Sequence, residues 1–166
     1  MRWLRSAAGS LTTSEYYAET APGQFKGEVQ CQDVQRLTYA DGSFDVCTST
    51  EVFEHVEDDI AGFRETCRVL KPNGLLVFTV PLRMGFPTIE RTGIANDMRT
   101  MRLPAEYHAD RHGTPVFCYR NYGDDILARL ERAGFDAEFQ TPGPALFGFR
   151  RPVVVARKIR GDLLKR

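Results

Sequence analysis

The 166 residues carry 22 Lys and Arg against 22 Asp and Glu, a formal net charge of zero, so no global field favours nucleic acid or an anionic membrane. Hydrophobic residues at 42% and charged residues at 27% are ordinary for a soluble globular chain, and the length suits one domain spanning residues 1–166. Its cysteines, Cys31, Cys47, Cys67 and Cys118, form no CxxC pair, and no apolar run reaches the roughly 18 residues that cross a bilayer, so a reducing, cytoplasmic setting without disulfides or a membrane span is expected.

In chain order, residues 1–8 read as the end of a helix stopped by Gly9, and 11–14 as a short strand ending at Glu15. Ala21-Pro22-Gly23 marks a loop, and 28–32 alternates with Val29 and Cys31 on one face. A turn at Tyr39-Ala40-Asp41-Gly42-Ser43 leads into Phe44-Asp45-Val46-Cys47-Thr48-Ser49, which reads as a buried strand. From Asp58 onward Ile60, Phe63, Cys67 and Leu70 recur at helical spacing, with Arg64, Glu65 and Arg68 between them. Lys71-Pro72-Asn73-Gly74 carries turn chemistry, and the apolar run 75–80 closed by Pro81 suits a strand covered on both faces.

Residues 82–116 lose periodicity, and an aperiodic stretch of that length is expected to be a lid or binding segment. Helical spacing returns at Ile126, Leu127 and Leu130, with Gly134 placed to cap the end. Strands follow at 135–140 and at 152–156, around Val153-Val154-Val155. The repeated strand–helix–strand order predicts a doubly wound α/β domain with a mostly parallel sheet. The basic tail from Arg157 to Arg166 reads as a solvated helix end.

Several stretches resemble the S-adenosylmethionine-dependent methyltransferases of the Rossmann-like class. They are Gln32-Asp33-Val34, Asp41-Gly42-Ser43-Phe44-Asp45-Val46, Glu54-His55-Val56, Arg68-Val69-Leu70-Lys71-Pro72-Asn73-Gly74 and Phe78-Thr79-Val80-Pro81. Their joint order and spacing carry the likeness, where any one alone would be weak. The likeness departs from the family at one place. No two glycines are separated by a single residue, so the family's first strand and glycine-rich cofactor loop are expected to be lacking. In the family's sheet that strand lies between the second and the fourth, which leaves strand edges open to self-association.

The resemblance implies S-adenosylmethionine as cofactor and methyl transfer to a small-molecule acceptor, with activity impaired by the lacking loop. The alternative is a catalytically inert relative acting as an interaction domain. It places Glu15 on the ribose hydroxyls, or else in an exposed loop, and Asp33 with Val34 on the adenine, or else Asp33 as the cap of a turn. Ser49, Thr50 and Glu51 would line the cofactor. His55 would serve as a catalytic base, or else hold its loop through a backbone hydrogen bond. Tyr107, His108 and Tyr119 in and beside the long segment would contact the acceptor. His108 and His112 stand four apart, but Pro104 and Gly113 mark loop and no third ligand group stands nearby in sequence, so no metal site is expected.

Overall fold

A computed structural model of the chain describes residues 6, 8–95, 98–110, 113–141 and 152–159. The expectations for the helix at 1–8 and for His112 fall largely or wholly outside these residues, as does most of the basic tail.

Two sheets share no strand. The first joins β1 (Ser14–Glu15), β2 (Phe25–Lys26) and β3 (Val29–Cys31) in the order β1-β3-β2, with β1 parallel and β2 antiparallel to β3. The second holds β4 (Phe44–Thr50), β5 (Leu70–Thr79), β12 (Phe135–Gln140) and β13 (Val153–Lys158) in the order β12-β13-β5-β4. Only the β4–β5 pair is parallel there; β13 runs antiparallel to both β12 and β5. The second sheet is therefore mixed, where a mostly parallel one was expected. The valines of β13 announce a strand by their β-branched shape, but carry no information about its direction.

Helix α1 (Asp59–Val69) lies between β4 and β5, and α2 (Ile126–Arg132) precedes β12. Phe63 from α1, Ile126 and Leu130 from α2, and alternate sheet residues Leu76, Phe78, Phe135, Val154 and Ala156 make one core. Both described helices thus cover the same sheet face, and the second helical layer of a doubly wound fold is not found among the described residues. The strand 44–49 is not buried as expected. Among the described residues β4 pairs only with β5, and Val46, Thr48 and Thr50 are exposed.

Local chemistry explains the element boundaries. The Asp58 carboxylate accepts from the Ala61 backbone amide at 2.9 Å, satisfying one orphan donor of α1. Asp58→Ala is expected to cost about 1 kcal/mol of stability in urea denaturation, the usual worth of such a cap; an unchanged midpoint would show the bond to be idle. Gly134 follows α2 with φ +97, as its place after the last turn predicts. The Lys71–Gly74 turn is absorbed into β5 as a bulge: Phe44 faces Leu70, yet Val46 faces Leu75. Asn73 takes the left-handed φ of 63 there, and a Cβ on Gly74 would lie 2.9 Å from the Lys71 carbonyl.

The segment 82–116 is built from short pairings. β7 (Thr92–Ala95) pairs with β8 (Met98–Met101), β9 (Tyr107–Ala109) with β10 (Pro115–Phe117), and β6 (Ile89–Glu90) with β11 (Arg120–Asn121). No helix among the described residues is long and apolar enough to cross a membrane.

Candidate functional site

Strands ending side by side leave their last residues at one end of a sheet. Glu15 closes β1, and its carbonyl accepts from the Gln32 amide at 3.0 Å, placing Asp33 one residue beyond the same edge. Tyr17 donates to the Glu15 carboxylate at 2.9 Å. Asp33 accepts from the Gln35 amide at 2.9 Å, so its carboxylate does cap a turn. Val34 packs against the core, within 3.4 Å of where a Gly62 Cβ would stand. The Asp58 amide donates to the Gln35 side chain at 2.8 Å. These contacts tie the 33–36 turn to the start of α1, and so to the segment that follows β4.

That segment is the most organised part of the candidate site. Ser49 and Thr50 end β4; the Ser49 hydroxyl is buried without a hydrogen-bond partner. Glu51 turns left-handed at φ 51 while its amide donates to the Thr79 carbonyl at 2.9 Å. The chain then makes a 3₁₀ turn, Phe53–His55. Phe53 anchors it in the core, its ring 4.4 Å from Phe63 and 5.2 Å from Phe78 between centroids. Arg120, 4% exposed, donates to the carbonyls of Phe53, Val56 and Glu57. Burial pushes the Tyr122 phenol well above its ordinary range, keeping it a donor to Asp59 at 2.9 Å.

On this turn the His55 ring nitrogen Nδ1 lies 2.8 Å from the Phe117 carbonyl, which can only accept. His55 therefore carries its proton on Nδ1 and holds the turn to β10, leaving Nε2 as the free nitrogen. Burial lowers its pKa, so the neutral ring is favoured. Tyr119 lies beside it through its amide, which donates to the Glu54 carbonyl at 2.8 Å. The Tyr119 ring meets Phe117 at 4.9 Å, and Phe117 meets Tyr107 at 5.7 Å. Tyr107 is exposed, while the His108 ring stands edge-on to His55 at 5.2 Å.

The structure thus brings His55, His108 and Tyr119 together. Glu15, Asp33 and Val34 form a second group at the β1 and β3 ends, linked to the first through α1. Sequence reasoning missed Glu54, Glu106, Cys118 and Arg120 as parts of this region. Glu54 stood in the quoted Glu54-His55-Val56 text, and its acid next to a histidine was the available signal. Cys118 and Arg120 meet the turn across more than sixty residues, and nothing local marks them. A cleft lined by Leu11, Thr12, Phe25, Tyr39 and Phe44 lies at the other, amino-terminal end of β4 and shares no residue with either group.

Comparison with known proteins finds methyltransferases. A methyltransferase domain family matches residues 4–78. A demethylmenaquinone methyltransferase from Mycolicibacterium vanbaalenii is 32% identical over 108 residues, covering 62% of this chain and 47% of that one. An uncharacterized methyltransferase from Mycobacterium marinum is 35% identical over 92 residues, covering 55% of this chain and 35% of that one. The chain thus spans half or less of the length of these curated relatives. In structure, an S-adenosylmethionine-dependent methyltransferase from Mesorhizobium loti superposes with a TM-score of 0.56 at 19% identity, over 95% of this chain and 84% of that one. That likeness speaks for the fold.

Proposed function

We propose that the chain is a member of the S-adenosylmethionine-dependent methyltransferase family, as the methyltransferase domain match over residues 4–78, the curated relatives and the shared fold support, and that it serves methyl transfer from S-adenosylmethionine to a small-molecule acceptor. The observation that carries the reading is that Glu15 at the end of β1, Asp33 beyond β3, and Ser49 and Thr50 at the end of β4 stand at the carboxyl ends of strands that have a parallel neighbour, where open α/β sheets bind ligands. The donor set suits the group. Glu15 offers carboxylate oxygens for ribose hydroxyls, and the Asp33 oxygen that does not cap the turn, Oδ2, accepts only a long 3.5 Å contact from the Gln35 side-chain amide among the described residues. Val34 supplies a backbone amide for the adenine ring. The unpartnered Ser49 hydroxyl, with the Thr50 and Glu51 backbone, lies where the β4 end would line the cofactor.

When bound, S-adenosylmethionine supplies an already activated methyl group, so the chain's task is alignment and exclusion of water. Tyr107, His108 and Tyr119 form the acceptor side, held against the motif turn by His55 through Phe117. Within this reading His55 contributes as the tie that fixes that side, and a role as base would show as a pH-dependent rate lost in His55→Gln. A relative named as a demethylmenaquinone methyltransferase supports a small-molecule acceptor. The chain has no pair of glycines one residue apart, so its own residues grip the nucleoside end of the cofactor more than the methionyl end, and we expect weak binding by these residues alone. The open β4 edge, with Val46 51% exposed, is where self-association would occur; Val46→Lys should shift any sedimenting dimer to monomer.

The test is calorimetric titration with S-adenosylhomocysteine. Asp33→Asn keeps the capping oxygen but replaces the other with an amide, and should weaken binding by roughly 1–3 kcal/mol. Unchanged affinity would remove Asp33 from the site. Absence of any binding by the chain at millimolar ligand would favour an inert, interaction-type role instead.

A further inference from the structure

Glu54 presents an electrostatic problem that methyl transfer does not explain. Its side chain is 1% exposed and neither carboxylate oxygen has a hydrogen-bond partner among the described residues. A buried carboxylate left in that state is costly by several kcal/mol. Two imidazoles face it: His55 Nε2 stands 3.7 Å from Oε1, and His108 Nδ1 stands 3.9 Å from the same oxygen. Both separations are too long for direct hydrogen bonds.

Each imidazole is engaged on its far side. His55 Nδ1 faces the Phe117 carbonyl at 2.8 Å, and His108 Nε2 faces Glu106 Oε1 at 3.1 Å. Glu106 is itself held by Asn121 and by Arg91. With both outer nitrogens donating, both inner nitrogens turn bare lone pairs toward Glu54. Cys118, fully buried, stands beside them: its Sγ lies 3.7 Å from His55 Nδ1, on the Phe117 side of the ring, and one ligand atom each of His55, His108 and Cys118 falls within 4.8 Å of the others.

We propose that Glu54, His55, His108 and Cys118 bind a divalent transition metal of the zinc class. Around a tetrahedral ion with bonds of about 2.0–2.3 Å, neighbouring ligand atoms stand roughly 3.4–3.6 Å apart. The two Glu54 separations are wider by a few tenths of an ångström, and a rotation of the Cys118 side chain would carry its Sγ from the Nδ1 side of His55 toward Nε2. Two nitrogens, a thiolate and one carboxylate suit zinc or cobalt and not magnesium or calcium, which take oxygen shells. The outer acceptors, Glu106 and the Phe117 carbonyl, are the second shell that such histidines need for tautomer and orientation. The metal would staple the motif turn to the β9–β10 hairpin, closing a loop of more than sixty residues. Burial now pushes the Glu54 carboxyl up to about 7 and the Cys118 thiol up to about 11; a bound cation would favour the charged form of each.

The experiment uses the full chain after exhaustive chelation, titrated with zinc by calorimetry and with cobalt by visible absorption. One equivalent should bind, raise the thermal midpoint, and give the intense bands of tetrahedral cobalt together with a thiolate charge-transfer band. Cys118→Ser should abolish the charge-transfer band, while Cys67→Ser should keep it. His108→Ala, at a partly exposed position where folding is little threatened, should weaken binding at least as much as Glu106→Gln, itself expected to lose roughly 10- to 100-fold. Circular dichroism confirms that each variant is folded. No stoichiometric binding by the folded chain, or weak octahedral cobalt spectra identical in wild type and His108→Ala, would overturn the site. Cobalt spectra unchanged in Cys118→Ser would equally overturn the four-ligand set. None of these readouts depends on methyl transfer, so the site and the proposed activity stand or fall separately.

Discussion

Arg120→Ala is expected to lower the stability of the chain by about 3–5 kcal/mol, the range seen when one partner of a buried ionic network is removed. The guanidinium is 5% exposed and works in two directions. Toward the backbone it donates to Phe53 at 3.2 Å, Val56 at 2.5 Å and Glu57 at 2.8 Å, supplying donors to the carbonyls of the motif turn. Toward the acids it pairs with Glu90 at 3.2 Å and stands 3.7 Å from Asp59. Alanine would take this donor from the Val56 and Glu57 carbonyls, leave Phe53 only the Tyr122 hydroxyl and the Val56 amide, and leave Arg129, 2.8 Å from Asp59, as the remaining cation beside both acids. Arg120→Lys should recover little, because an ammonium cannot span a fork of three carbonyls and a carboxylate. Urea unfolding followed by circular dichroism measures the effect. A loss below about 1 kcal/mol for alanine would mean that water replaces the guanidinium freely, and that the turn does not depend on it.

The contrast between Arg120 and Asp58 shows where the sequence was readable. The helix at 59–69 could be read from Ile60, Phe63 and Cys67, because spacing is a local property, and its Asp58 cap is equally local. The strands at 44–49 and 75–80 could be read for the same reason. What escaped was anything set by which surfaces meet. The exposure of Val46 depends on what pairs with β4, and the direction of β13 depends on how the chain returns to it. The apolar run 75–80 was read as covered on both faces, yet only Leu76, Phe78 and Val80 are buried. In the site, Glu15, Asp33 and the β4 end were placed by motif; Glu15 and Thr50 do end strands, whereas β3 stops at Cys31 and Asp33 stands two residues beyond it in a turn. The sequence set His108 only beside His112, a pair from which no metal site was expected, whereas the ring that faces it belongs to His55. Glu54 read as one letter of a motif, and only its burial shows that it needs a partner.

Phe53→Ala is expected to cost about 3–5 kcal/mol, and the same substitution should loosen the site that the turn presents. The Phe53 ring is 1% exposed and packs with Phe63 and Phe78, which are themselves 5.7 Å apart between centroids. Such aromatic clusters lose both transfer energy and ring contacts when one member is removed. The neighbourhood cannot easily collapse into the space. Gly62 approaches Phe53 from α1 with no side chain to fill it, and Phe63 and Phe78 are fixed by a helix and a central strand. Phe53→Leu should recover much of the loss. Since the Phe53 carbonyl accepts from Arg120, the ring and the guanidinium hold one turn from opposite sides. Their removal should therefore be non-additive: once the turn has loosened in Phe53→Ala, the further loss of Arg120 should cost less by roughly 0.5–3 kcal/mol than it does in the parent chain. A double variant whose loss equals the sum of the singles to within about 0.5 kcal/mol would show that ring and guanidinium stabilise separate parts of the fold. Glu54 and His55 would then owe their placement to one of them alone.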